Sequence, residues 1–194
     1  MVTSQLPDFA TRRKPKTMKK QNTAPDTLRI ATAQLNPTLG DISVNIEKAR
    51  LAWVEANRHG ADLVLFTELF IAGYPTEDLV LKPAFVQSCE AAVATLVALT
   101  VNGGPGIAIG LPVRRKTGLH NAVLIIDGGK VIGERYKVDL PNYGEFDEKR
   151  VFQPGPMPGP VNFRGVRIGF PICEDIWGDL GVCETLGESG AEML

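Results

Sequence analysis

The chain has 194 residues, with 21 basic against 22 acidic side chains and a formal net charge of -1, the balance of an ordinary globular domain with a real core. Nothing in that balance selects nucleic acid or an acidic substrate as a partner. No apolar run approaches the roughly 18–20 residues of a helical membrane span; the longest, Ala91 to Val101, is interrupted by Thr95 and Thr100 and reads as a buried helix.

Residues 1–27 carry six basic side chains (Arg12, Arg13, Lys14, Lys16, Lys19, Lys20) against Asp8 and Asp26. They lack the apolar centre of a secretory signal and read as a disordered, tag-like tail. Structure is expected to begin at Leu28–Gln34, where apolar and polar residues alternate as in a strand. Asn36 to Asp41 is loop chemistry. From Ile42 to His59 the residues Ile42, Ile46, Ala49, Trp53 and Ala56 recur at helical spacing, and Gly60 is placed to end the helix. Ala61–Thr67 is apolar nearly throughout and is expected as a strand covered on both faces.

Gly73 to Asp78 turns into a helix with Thr76 or Glu77 near its cap, and a long helix over 84–100 is stopped by Asn102-Gly-Gly-Pro-Gly106. A third strand covers 107–113. Asn121–Ile126 and Lys130–Lys137 form a hairpin around Asp127-Gly128-Gly129. A loop over 140–155 and the Pro/Gly cluster 154–160 follow. A second hairpin, 161–164 and 166–172, ends at Cys173. Thr185 to Leu194 reads as the end of a helix feeding a new strand, so the sequence is read as a fragment.

Three residues sit where such strands end: Glu68, Lys137 and Cys173. Open α/β sheets bind ligands beyond the carboxyl ends of their strands, and a twisted sheet gathers those ends. A thiol attacks as thiolate, so it needs a base or a nearby cation. The usual partner is histidine, but His59 belongs to a helix end and His120 begins a hairpin strand, which makes a Cys–His pair the weaker reading. A carboxylate can take that place where partial burial favours its protonated form, and Glu68, after Leu-Val-Leu-Phe-Thr, stands in such a place. Lys137 would hold the thiolate and then the oxyanion.

Taken singly, each has a plainer reading: a strand Cys is commonly a small buried hydrophobe, and a Glu or Lys at a strand end is usually solvated. Cys89 reads as core. Cys183, ten residues beyond Cys173, has poor spacing for a metal knuckle, so no metal site is expected. Gly103-Gly-Pro-Gly106 and Gly128-Gly-Lys130 do not extend to phosphate loops. The three cysteines, odd in number and without framework spacing, point to free thiols in a reducing, cytoplasmic compartment.

Phe66-Thr-Glu68-Leu, Tyr136-Lys137-Val-Asp-Leu-Pro-Asn-Tyr143 and Cys173-Glu174-Asp175-Ile-Trp177 together resemble the carbon–nitrogen hydrolase (nitrilase) superfamily. Gly73-Tyr74-Pro75-Thr76-Glu77-Asp78-Leu79 and Leu140 to Arg150 narrow this. They are similar to the N-terminal glutaminase domains of glutamine-dependent NAD synthetases, over 28–194. The resemblance implies an α/β fold, a nitrilase-like α-β-β-α sandwich that lacks its last strands. It implies a Glu-Lys-Cys triad with Glu68 as general base, Lys137 as oxyanion stabiliser and Cys173 as nucleophile. Tyr74, Tyr143 and Glu174 would surround glutamine, and Glu148 would be a second glutamate beside the lysine.

By the same resemblance, ammonia from glutamine would pass to a synthetase domain, normally in cis, for NAD synthesis from nicotinic acid adenine dinucleotide. That domain is absent from the sequence, so ATP and magnesium are expected there and no cofactor is expected here. Assembly into homo-oligomers is implied, without nucleic acid or membrane. Competing readings are a stand-alone amidase of the superfamily and an inactive fragment acting only in association. A sandwich without late strands leaves edges and apolar faces uncovered, so the 194-residue chain alone is expected to be poorly soluble or inactive.

Overall fold

A computed structural model describes residues 27–194, and the expected N-terminal tail lies, but for Thr27, outside the described residues. The chain enters through β1 (Ile30–Ala33), crosses by helix α1 (Ile42–Arg58) into β2 (Leu63–Phe66), and by helix α2 (Pro83–Leu99) into β3 (Gly106–Arg115). Strands β4 (Gly118–Asp127) and β5 (Lys130–Tyr136) complete a sheet of order β1-β2-β3-β4-β5. The first three strands are parallel and the last two antiparallel. A two-stranded sheet, β6 (Val161–Phe163) with β7 (Val166–Ile168), lies against it, and the short helix α3 (Val182–Glu188) follows.

Period-two alternation sorts the side chains into layers. Val64 and Phe66, Ile107, Ile109 and Leu111, and Ala122, Leu124 and Ile126 pack beneath the two long helices. Their alternates Leu63, Ala108, Val123 and Ile125 pack against Val161, Phe163 and Ile168 of the second sheet. The helices meet the first layer through Ala49 and Ala56 of α1 and through Cys89, Val93 and Leu96 of α2. Each fully buried Leu, Ile or Phe contributes about 1.5–3 kcal/mol. Two helices, the five-stranded sheet and the second sheet stack in that order, consistent with the expected α-β-β-α sandwich, while Val182 and Leu186 of α3 pack with Val138.

The helix ends follow their sequence signals. Asp41 accepts the Val44 N–H at 3.1 Å at the start of α1, and Gly60 beyond its end has φ +67°. Thr76 precedes a separate 3₁₀ turn, Glu77–Leu81, and Pro83 opens α2.

The sheet departs from expectation in three places. β3 and β4 form their own long hairpin from Ile107↔Ile126 to Arg115↔Gly118, so β4 begins before Asn121. β2 is shorter than predicted and not covered on both faces: Leu65 is 38% exposed on the side that Leu63 buries. β7 stops at Ile168, not Ile172. Pro171 has no N–H for a ladder and the Gly169 N–H goes to the Met193 carbonyl at 2.8 Å, while Phe170 and Ile172 continue the alternation of Ile168 into the inter-sheet core. Met193 makes a parallel bridge to Ile168, in line with the predicted helix-then-strand ending.

Candidate active site

Lys137 stands one residue beyond β5, Glu68 two beyond β2, and Cys173 five beyond β7, at the start of a 3₁₀ turn (Cys173–Ile176). Lys137 is completely buried, yet its ammonium is held by two carboxylates. Its Nζ donates to Glu68 Oε1 at 2.8 Å and to Glu148 Oε1 at 2.9 Å. The Tyr74 hydroxyl donates to the same Glu148 oxygen at 3.3 Å. Sequence reasoning missed Asn121, whose Nδ2 donates to Glu68 Oε1 at 2.7 Å and whose carbonyl accepts the Lys137 N–H at 2.8 Å. Its signal was available: one amide side chain inside the otherwise apolar stretch of β4.

Close approach of two backbones sets the position of Glu68. A Cβ on Gly110 of β3 would lie 2.4 Å from the Leu69 nitrogen and 2.8 Å from the Glu68 carbonyl carbon, so only glycine lets β3 pass there. Leu69 and Cys173 both adopt left-handed backbone, at φ +49° and +50°. Such non-glycine positions cost about 1–3 kcal/mol and persist where surrounding structure dictates them. Glu68 and Cys173 both line one cavity of about 160 Å³, walled by Phe66, Gly110, Ala122, Phe170 and Ile172 among others.

One cation among two carboxylates leaves the cluster with an excess of negative charge. Burial pushes the Glu148 carboxyl up, the charge of Glu68 adds to this, and Lys137 opposes it. Burial works against the Lys137 ammonium, but Glu68 and Glu148 outweigh it and hold the group above its ordinary value. The Cys173 thiol is pushed up to about 11, first by burial and then by the Glu68 carboxylate, with Lys137 pulling the other way. The site therefore keeps Cys173 as a thiol and favours a proton somewhere in the cluster. Two buried polar atoms, Asn121 Oδ1 and Glu148 Oε2, have no partner among the described residues.

The remaining predicted residues form an outer rim. The Tyr143 hydroxyl donates to both oxygens of Glu174, at 3.0 and 2.9 Å, and Trp177 Nε1 donates to Glu174 Oε2 at 3.0 Å. Tyr143 and Trp177 are 56% and 61% exposed, and with Glu174 they border an open hollow of about 430 Å³. Burial, with the charges of Glu148 and Glu68, raises the Tyr74 hydroxyl above its ordinary value, and the hydrogen bond to Glu174 raises that of Tyr143.

Neither histidine can serve Cys173. His120 is buried with its ring nitrogens on Thr117 Oγ1 (2.7 Å) and the Gln153 carbonyl (2.8 Å), and His59 pairs with Glu55 at the end of α1. Cys89 is core, its thiol pushed up to about 12 by burial. Among the described residues no group of three or more His, Cys, Asp or Glu side chains is disposed to hold a metal ion. No helix there is long and apolar enough to cross a membrane.

The carbon-nitrogen hydrolase family matches residues 29–194. The chain belongs to that family. It is 45% identical over 169 residues to the glutamine-dependent NAD(+) synthetase of Rhodobacter capsulatus, covering 87% of this chain and 30% of that relative. The chain thus spans about a third or less of the curated relatives it matches. Among solved structures, glutamine-dependent NAD+ synthetase from Acinetobacter baumannii superposes with a TM-score of 0.79 at 32% identity, over 86% of this chain and 32% of that one. A mutant amidase from Nesterenkonia sp. AN1, showing covalent addition of the acetamide moiety of fluoroacetamide at its active site cysteine, superposes with a TM-score of 0.73 at 26% identity. That match covers 84% of this chain and 62% of the amidase.

Proposed function

We propose that this carbon–nitrogen hydrolase domain cleaves the side-chain amide of glutamine through a thioester on Cys173. The observation that carries the reading is the buried Glu68–Lys137–Glu148 cluster, joined through Glu68 to the cavity it shares with Cys173.

Because the thiol is held protonated at rest, deprotonation accompanies attack. Glu68 takes the thiol proton as Sγ bonds to the amide carbon. Lys137, with backbone N–H groups, balances the oxyanion, a role worth about 3–4 kcal/mol per donor. As the C–N bond breaks, Glu68 returns its proton to the leaving nitrogen and ammonia departs. Glu68 then deprotonates a water, which attacks the thioester. Glutamate leaves and the thiol is restored. On the rim, Tyr143 and Glu174 are placed for the charged end of the amino acid, with Tyr74 beside Glu148.

In the longer relatives named as NAD synthetases, we place this step as the supplier of ammonia for NAD synthesis by a synthetase domain in cis. ATP and magnesium belong to that domain, and no residue here is assigned to them. The amidase likeness favours a second reading, hydrolysis of a simple amide. The 45% identity to an NAD synthetase outweighs it.

The test is labelling of Cys173 by a diazo-oxo-norleucine, read by peptide mass. Labelling is expected to be suppressed by glutamine and lost in Glu68→Ala, with Cys173→Ala abolishing turnover. Equal protection by acetamide and glutamine would favour the simple amidase, and no protection by either would remove the hydrolase reading.

A further inference from the structure

Asp175 has no part in that mechanism, yet it is 2% exposed and its carboxylate is fully engaged. Oδ1 accepts the N–H groups of Val138 at 3.0 Å and Asp139 at 2.8 Å, and Oδ2 accepts that of Ile172 at 2.9 Å. The Asp175 N–H closes the turn onto the Ile172 carbonyl at 3.1 Å. These donors come from two distant stretches of chain. Val138 and Asp139 directly follow Lys137, and Ile172 directly precedes Cys173. Among the described residues, no other hydrogen bond joins segment 137–140 to segment 172–176.

Neighbouring geometry reinforces the link. A Cβ at Gly178 would lie 1.9 Å from Asp139 Oδ2, so the turn after Cys173 is shaped to let the loop after Lys137 pass against it. Cys173 itself holds a left-handed backbone at φ +50°, a conformation that needs its surroundings to dictate it. A carboxylate accepting three backbone N–H bonds is well suited to that, since charge-assisted bonds are shorter and roughly twice as strong as neutral ones. The adjacent Glu174 does the opposite, turning outward to Tyr143 and Trp177.

We propose that Asp175 is a positioning residue: its carboxylate clamps the backbone after Lys137 to the backbone before Cys173 and so fixes the spacing between cation and nucleophile. The proposal rests on the assignment of Lys137 and Cys173 made above. A displacement of about 1 Å in such a constellation costs on the order of 10²-fold in rate.

Four forms of the chain test it: wild type, Asp175→Asn, Lys137→Met and the double variant. Each is checked for a cooperative melt and then alkylated with iodoacetamide, with Cys173 resolved from Cys89 and Cys183 by peptide mass. Asp175→Asn should slow labelling by the diazo-oxo-norleucine on the order of 10²-fold. Lys137→Met should change the iodoacetamide rate at Cys173 in the wild type but by less than about twofold in the Asp175→Asn background, because the two groups are no longer in register. Independent, multiplying effects would overturn the proposal.

Amide hydrogen exchange in the wild type decides the matter even where a variant does not fold. The Val138, Asp139 and Ile172 amides should be protected together, within about threefold of one rate, as one opening unit. Val138 and Asp139 exchanging as free loop amides while Ile172 stays protected would overturn it. Wild-type chain that shows no glutamine-suppressed labelling, but retains the Lys137–Asp175 coupling toward iodoacetamide, would sink the glutaminase reading and leave the clamp standing.

Discussion

The Glu68–Lys137–Glu148 cluster and the Tyr143–Glu174–Trp177 rim use the same kinds of group, carboxylate and hydrogen-bond donor, in opposite settings. In the first, the lysine is completely buried and its two carboxylates are 17% and 7% exposed at the side chain. In the second, the aromatic partners are more than half exposed. Charges in the enclosed cluster act on one another with little solvent screening, so each proton there alters the chemistry of its neighbours. Bonds on the rim compete with water and hold weakly. The contrast fits the function proposed above, with bond making and breaking at the cluster and recognition of a charged, hydrated molecule at the rim.

Lys137→Met should break that contrast most severely. It removes the only cation between two enclosed carboxylates, abolishes turnover, and destabilises the fold by about 3–5 kcal/mol in thermal or denaturant unfolding. Glu148 already favours its protonated form through burial and the charge of Glu68. Its folded value lies above the unfolded one, so protonation favours the folded state: the deficit should shrink as pH falls and grow as pH rises through that value. A deficit that is flat with pH would contradict an enclosed cluster with surplus negative charge.

Asn121→Ala should have an intermediate effect. Glu68 loses one of the two donors on its Oε1, and turnover should fall on the order of 10²-fold, while stability changes by about 1 kcal/mol. A variant with unchanged turnover would mean that Lys137 alone orients Glu68. Smallest of all, Glu174→Gln should raise the KM for glutamine about tenfold and leave stability within about 0.5 kcal/mol. An equal fall in kcat would move Glu174 from recognition into the chemistry.

The layers were legible in part: the three-to-four spacing on α1 and the apolar runs of β3 and β4 appear directly in the sequence, whereas which alternate residue of those strands meets which layer does not, because both faces are buried. Glu68, Lys137 and Cys173 could be singled out because each closes a strand-like run and because the motifs around them resemble one family. What periodicity cannot carry is contact between distant segments. Asn121 reads as a polar interruption until β4 is seen beside Glu68, and Asp175 reads as one acid in an acidic turn until its three backbone donors are located. The stretch 169–172 has strand composition throughout. Its ladder stops past Ile168 because Pro171 has no N–H to donate, although Phe170 and Ile172 continue the alternation of Ile168 into the inter-sheet core.

On the mechanism proposed above, holding the nucleophile as a thiol affects more than glutamine. Peroxide and disulfides attack cysteine through its thiolate, and at a value of about 11 only a minute fraction of Cys173 is ionised near neutral pH. A nucleophile activated in advance by a neighbouring imidazolium would stand exposed to every passing oxidant. On that mechanism, activation awaits the arrival of an amide beside Glu68. The same surplus of negative charge that slows the thiol at rest preserves it, sparing the site sulfenic acid formation between turnovers.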